Sequence, residues 1–331
     1  MARTRRFAVV VLALCSWSFC ASAQVLINAS SVAAGSITPG DTPGYPATIS
    51  IPGSYKLSGN LTGVGVTNID ITANYVTLDL GGFSVDSGTL CPAVNPVGNT
   101  CSPQANPNAL IRISGMGVTI KNGIVHGNNK GHGIAYVGAT AANLTLSDLV
   151  VSENVNNGMD IGSSGTGVNV NNVFASQNGG SGIATYVGAN IRSSQFISNN
   201  SFGASVTAGQ VTDSFAIQNA LAGFAGQSQL NIEHSTTTLN GGDGAFANNS
   251  GLFSHVMANK NGKNGIETGD ANVWGSLVVD SVANFIPNGY WGFLLGTNGC
   301  YSRIEAAKPY TQALSGGSHI IETNDPCLIG P

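Results

Sequence analysis

The chain has 331 residues, of which only 8% are charged while 45 are glycine. That length can bury a continuous core, and so little charge excludes the disordered class, which needs high net charge and few apolar residues. With 12 basic against 16 acidic side chains the formal net charge is −4, so no basic stripe is available to follow a nucleic acid.

Residues 1–23 read as a secretory signal peptide. Arg3, Arg5 and Arg6 form a basic start, Phe7 to Leu14 an apolar run, and Ala21-Ser22-Ala23 a small-residue cleavage site. The run is too short to cross a bilayer and no later segment qualifies. The sequence therefore predicts a secreted or periplasmic protein without a membrane span. Its mature chain would carry nine basic residues against 16 acidic ones, a formal charge of −7.

Residues 24–52 hold Gly, Pro and Ser with few periodic apolars and are expected to form an extended N-terminal cap. From Gly53 the pattern changes. Val76, Leu78 and Leu80 alternate with Thr77 and Asp79, the period of a strand with one buried side. Residues 86–108 interrupt this with a Pro- and Asn-rich loop holding Cys91 and Cys101. Cys300 and Cys327 are the other two cysteines of the mature chain, and an even number in an exported chain points to disulfides. Of three pairings, Cys91–Cys101 with Cys300–Cys327 is preferred because each closes a local excursion.

From Asn129 to Phe293 one phrase recurs: Asn, three residues, Gly, then an apolar or small residue. Copies start at Asn129, Asn154, Asn178, Asn199, Asn219, Asn240, Asn261 and Asn288. Their spacing drifts between 20 and 27 residues, the mark of a solenoid in which each repeat is one coil. Eight residues before the Asn of successive copies stand Leu146, Val170, Ile191, Val211, Ile232 and Phe253. Four residues before it stand Val150, Phe174, Gln195, Phe215, Thr236 and Met257, which are read as a second apolar column of fixed phase. Asn, Gly, Ser, Thr and Val dominate and no 3.6-residue period appears, which favours strands and tight turns over helices. Stacked amides can bond to one another from coil to coil. The glycine is expected to supply positive φ or close backbone approach. Residues 294–331 lose the phrase and are expected to cap the last coil.

Together, Gly53-Ser54-Tyr55-Lys56-Leu57, Val76-Thr77-Leu78-Asp79-Leu80 and the Asn/Gly phrase resemble the pectin-lyase-like superfamily over residues 53–293. The resemblance implies an all-β fold: a single right-handed parallel β-helix of about 10–11 coils with N- and C-terminal caps. It implies polysaccharide as partner but leaves activity open, because the superfamily mixes lyases, hydrolases, epimerases and non-catalytic proteins.

Candidate chemistry follows from neighbouring coils. Gly131-His132-Gly133 resembles the Gly-His-Gly of polygalacturonase-type glycoside hydrolases, but their Asn-Thr-Asp, Asp-Asp and Arg-Ile-Lys phrases are missing. His132, Asp148 and Asp160 are the candidate catalytic set, Asp160 falling three positions after the His132 column one coil on. Resemblance to the lyases implies Ca²⁺ on stacked carboxylates and a basic proton acceptor, for which Arg112, Lys121 and Arg192 are available. Asp213, His234 and His255, spaced 21 and 21, form a candidate transition-metal column. The same column also holds Asp148, Asn172 and Ser193, as a solvated turn would. Asp243, Lys260, Lys263, Glu267 and Asp270 read as surface charges, and Tyr290 and Trp291 as cap packing. Three functions are left standing: polysaccharide binding without catalysis, a lyase or hydrolase on uronic-acid polymers, and metal binding.

Overall fold

A computed structural model describes residues 24–89, 108–139, 143–162, 167–269, 276–285, 287, 290–295, 300–307, 314–315 and 319–320. Short strands, all parallel to their partners, stack rung on rung into a solenoid of about ten turns. Each coil passes through three faces. In one coil, Gly131–Tyr136 lies on face one, pairing with Asn108–Ile113 below and Met159–Ile161 above. The strand Leu144–Ser152 then runs through face two, bends at Asp148, and continues along face three. Strands this short and this parallel suit β-branched side chains on a surface buried from within.

Alternation along each strand sends one set of side chains inward. Face one contributes Ile134, Met159, Ile183, Phe224 and Ile266, all fully buried. On face two the column eight residues before each Asn, from Leu146 to Phe253, is buried as expected. Phe196 of face three meets Phe224 of face one edge-on, with centroids 6.3 Å apart. The column four residues before each Asn differs from expectation. It points outward, leaving Phe215 45% and Met257 47% exposed. Val151, Ala175, Phe196, Ala216 and Ala258, one position later, fill the core instead. A one-residue shift in a strand exchanges the buried and solvent sides, and apolar residues occupy both.

The corner between faces three and one is an amide ladder. The Asn178 side-chain oxygen accepts from the Asn154 backbone N–H at 3.2 Å and the Asn154 amide at 2.9 Å. Asn199, Asn219, Asn240 and Asn261 repeat the arrangement. From Asn178 upward the second amide hydrogen goes to a strand carbonyl of the coil below, Val151 in the case of Asn178. Each buried amide is thereby satisfied. The first copy is one residue out of place: the buried ladder member is Asn128, which bonds Asn154, while Asn129 lies beside it. Asn288 lies outside the described residues.

The repeat glycines serve close approach and not positive φ. A Cβ on Gly203 would lie 2.5 Å from the Gly223 carbonyl oxygen of the next coil, and the copies from Gly133 to Gly265 show the same crowding. Left-handed backbone occurs elsewhere. One column at the bend between faces two and three has φ near +50°, including Asp148, Asn172, Ser193, Asp213, His234 and His255. Another precedes the ladder Asn, from Glu153 to Lys260. A serine column, Ser194, Ser214 and Ser235, stitches the first of these bends.

Both ends extend the stack beyond its sequence signature. Val25–Ile27 already pairs with Gly53–Leu57, and Ala47–Ile49 with Ile69–Ile71. Between them the helix Ala29–Ala34 is capped by Asn28 and Ser31 and stopped by Gly35 at φ 63°, so this cap is not wholly extended. At the other end Cys300–Ser302 and Glu305–Ala307 continue faces two and three past Phe293. Residues 1–23, most of the 86–108 loop with Cys91 and Cys101, and Cys327 lie outside the described residues, and with them the signal-peptide and disulfide expectations.

Candidate functional site

Face one carries two outward columns. The central one runs Asp70, Arg112, Ala135, Asp160, Ala184, Ser205, Ala225, Phe246, Glu267, each hydrogen-bond register partner to the next. The second edges the ladder corner: His132, Asn157, Ser181, Phe202, Ala222, Asp243, Asn264, Trp291. Small residues therefore floor the middle of the face, a shallow trough between two polar ends. Two aromatics border the middle. Tyr186 is 55% exposed just beyond Ala184, where the register shifts between Thr185 and Gly188, and Phe202 stands on the opposite margin one rung up.

At the lower end Arg112 forks onto Asp70, Nε to Oδ1 at 3.0 Å and Nη2 to Oδ2 at 2.6 Å. Ala135, itself buried, follows it in the column, and then Asp160. His132 Nε2 stands 3.9 Å from Asp160 Oδ2, and the Asn157 amide donates to Asp160 Oδ1 at 2.8 Å. His132 is only 7% exposed, and its Nδ1 is buried without a hydrogen-bond partner. Burial pulls its pKa below the ordinary imidazole value, against the opposing charge of Asp160. The ring is neutral at neutral pH.

The upper end repeats this geometry with different chemistry. Asp243, Asn264 and Glu267 occupy the register positions of His132, Asn157 and Asp160. The Asn264 amide donates to Glu267 Oε2 at 2.6 Å, while its own backbone N–H reaches Asp243 Oδ1 at 3.0 Å. Burial first, then the Asp243 carboxylate, raises the Glu267 pKa. Read from sequence these were surface charges; their equivalence to His132 and Asp160 appears only once Asp243 and Glu267 are placed two before and one after paired strand residues.

No family model matches the sequence, and no curated protein matches it. Solved structures do resemble its fold. The A-module of the mannuronan C-5 epimerase AlgE4 of Azotobacter vinelandii superposes with TM-score 0.56 at 11% identity, over 84% of this chain and 91% of that one. The receptor-binding domain of the siphovirus 9NA tailspike gives 0.51 at 10%, over 84% and 70%. The chain has the pectin-lyase-like fold, a right-handed parallel β-helix.

Within this β-helix the residues singled out in the sequence separate. His132 and Asp160 come together on face one. Asp148 does not join them: it sits at the bend between faces two and three, accepting from the Asn172 amide at 2.8 Å. Asp213, His234 and His255 do share one column, but the two imidazoles stack face to face at 4.6 Å and 21°. Parallel rings direct their nitrogens along the stack planes and not onto a common point. His255 bonds Ser254 Oγ at 2.8 Å and faces Asp280, which Arg303 holds below the usual carboxylate range through two hydrogen bonds. Among the described residues no three His, Cys, Asp or Glu side chains are gathered around one metal position. No described helix is long and apolar enough to cross a membrane.

Proposed function

We propose that this chain is an exported β-helix protein that binds polysaccharide along face one. The observation that carries the reading is the trough itself. Ala184, Ser205 and Ala225 put small side chains on three successive rungs, just above the Arg112–Asp70 and His132–Asp160 pairs, and leave room there for a ligand backbone. At about 4.8 Å per rung the floor is long enough for several sugar rings. Carboxylates and amides at its ends suit hydroxyl pairs, and the exposed Tyr186 offers a ring to a sugar face. The likeness to a mannuronan epimerase module supports the fold, and the trough supports the ligand class. Residues 1–23 support export, an oxidising setting in which Cys91–Cys101 and Cys300–Cys327 would pair.

A second reading is cleavage, favoured by the neutral, buried His132 beside Asp160, two rungs from Arg112. A lyase on a uronic-acid polymer needs a base near the sugar carbon next to the carboxylate, and the neutral His132 imidazole, whose Nε2 is turned toward Asp160, is the candidate. Hydrolysis fits less well. Asp70 and Asp160 are three rungs apart, about 14 Å, beyond the separation of paired glycosidase acids. A glycan array on the secreted protein tests binding, with Tyr186→Ala expected to weaken the signal about tenfold without loss of folding. Ultraviolet detection of unsaturated products tests cleavage. An array with no polysaccharide signal sinks the first reading, and wild-type turnover surviving in His132→Ala sinks the second.

A further inference from the structure

Away from face one, the bend between faces two and three holds a cleft of about 270 Å³ that the face-one reading does not use. One wall is Asp148, Asn172 and Ser193, three successive left-handed corners; the other is Val150, Phe174 and Gln195 of face three. We infer that this cleft is a second carbohydrate site, for an uncharged sugar unit of a glycan chain. The polar wall presents a carboxylate already oriented by the Asn172 amide, which leaves its Oδ2 for a vicinal hydroxyl. The facing wall presents a half-buried phenyl ring and an exposed amide in one outward column. A sugar has the matching two-sidedness: an apolar C–H face for Phe174 and hydroxyl edges for Asp148, Asn172 and Gln195.

Two observations separate this ligand from others. Face-two and face-three strands here are paired on both sides, so no free strand edge exists to accept an extended peptide by β-augmentation. The one charge lining the cleft is negative, which disfavours a uronate or phosphate. The two walls also continue upward in register, with Asp213 and His234 on the polar side and Phe215 and Met257, both nearly half exposed, on the apolar side. A chain bound at the cleft can therefore extend along the helix axis over further rungs, antiparallel or parallel to it.

The test is isothermal titration of the full chain with cellohexaose, mannohexaose and xylohexaose as uncharged probes and a hexagalacturonate as the charged one. The expected result is that an uncharged probe binds, and that Phe174→Ala and Asp148→Asn each weaken it at least tenfold, in a Tyr186→Ala background as well as in the wild-type chain. Circular dichroism confirms folding of each variant, and Gln195→Ala, at an exposed position, serves where Phe174→Ala does not fold. Binding lost in Tyr186→Ala but retained in Phe174→Ala, or in Gln195→Ala where that variant stands in, would overturn this site and keep face one. Binding of the hexagalacturonate alone, no binding of any uncharged probe, or a concentration-dependent dimer by light scattering that Phe215→Ser abolishes would overturn it as well.

Discussion

His132 and Asp160 meet across one rung of face one at 3.9 Å, the imidazole almost wholly buried and the carboxylate a quarter exposed. Burial outweighs the attraction, so folding lowers the His132 pKa from its ordinary value. The unfolded chain then binds more protons than the folded one as pH drops through the imidazole range. Stability is full above pH 6.5, the unfolded value, and is lost as pH falls toward the folded pKa. Thermal unfolding at a series of pH values should show this decline in wild type and a flatter curve in His132→Gln. Curves that stay parallel would refute the assignment.

Glu267 has the opposite sign. Its raised pKa means the folded state keeps the proton longer. The stabilisation is complete below the unfolded value of 4.5 and is lost as pH rises through the folded pKa. Glu267→Gln, which keeps a side-chain oxygen for the Asn264 amide, should remove this loss, and Asp243→Asn should reduce it. Denaturant titration between acid and neutral pH measures both.

Removing one ladder amide orphans two buried donors. In Asn199→Ala the backbone N–H and side-chain amide of Asn178 lose their acceptor, at 3.2 and 2.9 Å. The expected loss is about 3 kcal/mol. Asn190→Ala, on an exposed residue whose bond to Asn169 is 3.5 Å long, should cost less than about 0.5 kcal/mol. Equal effects in urea unfolding would contradict the ladder.

Glycine is required where the coils touch. Gly203→Ala places a methyl 2.5 Å from the Gly223 carbonyl and should cost about 2 kcal/mol. Gly188→Ala meets nothing nearer than 3.9 Å and should be neutral within about 0.5 kcal/mol. Melting temperatures of the two variants decide it.

Adjacent residues on face three should respond in opposite ways. Ala258→Asp buries a charge in the core and is expected to cost roughly 3 kcal/mol or more. Met257→Asp, one residue earlier and nearly half exposed, should leave stability almost unchanged and improve solubility. Expression and unfolding of the pair would show which column is inside.

Much of the architecture was legible because the Asn amide and the glycine each answer a need that recurs once per coil: a ladder bond and room for a carbonyl. What escaped the sequence was local. Two adjacent asparagines hid the fact that Asn128, not Asn129, enters the ladder. Outward apolar residues such as Phe215 and Met257 imitated a core column, since period-two alternation alone does not say which side is buried. The bend tolerates side chains as unlike as Asp148, Ser193 and His255, so its left-handed backbone left no residue signature. On the candidate site, the approach of His132 to Asp160 followed from counting positions. Asp243 and Glu267 follow from the same count, and Asp148 was misplaced because its position, six residues before Asn154, falls at the bend between faces two and three and not on face one.

The amide ladder has one more outcome. Each asparagine bonds the asparagine of the next turn and a strand carbonyl of the turn below, the same partners at every rung, and so nothing in the bonding specifies how many turns there are. Excising residues 199–218, one whole period, would set Asn178 beneath Asn219, which presents the same oxygen in the same attitude. Length is thus a quantity that duplication or deletion of a single turn can adjust, and with it the extent of face one.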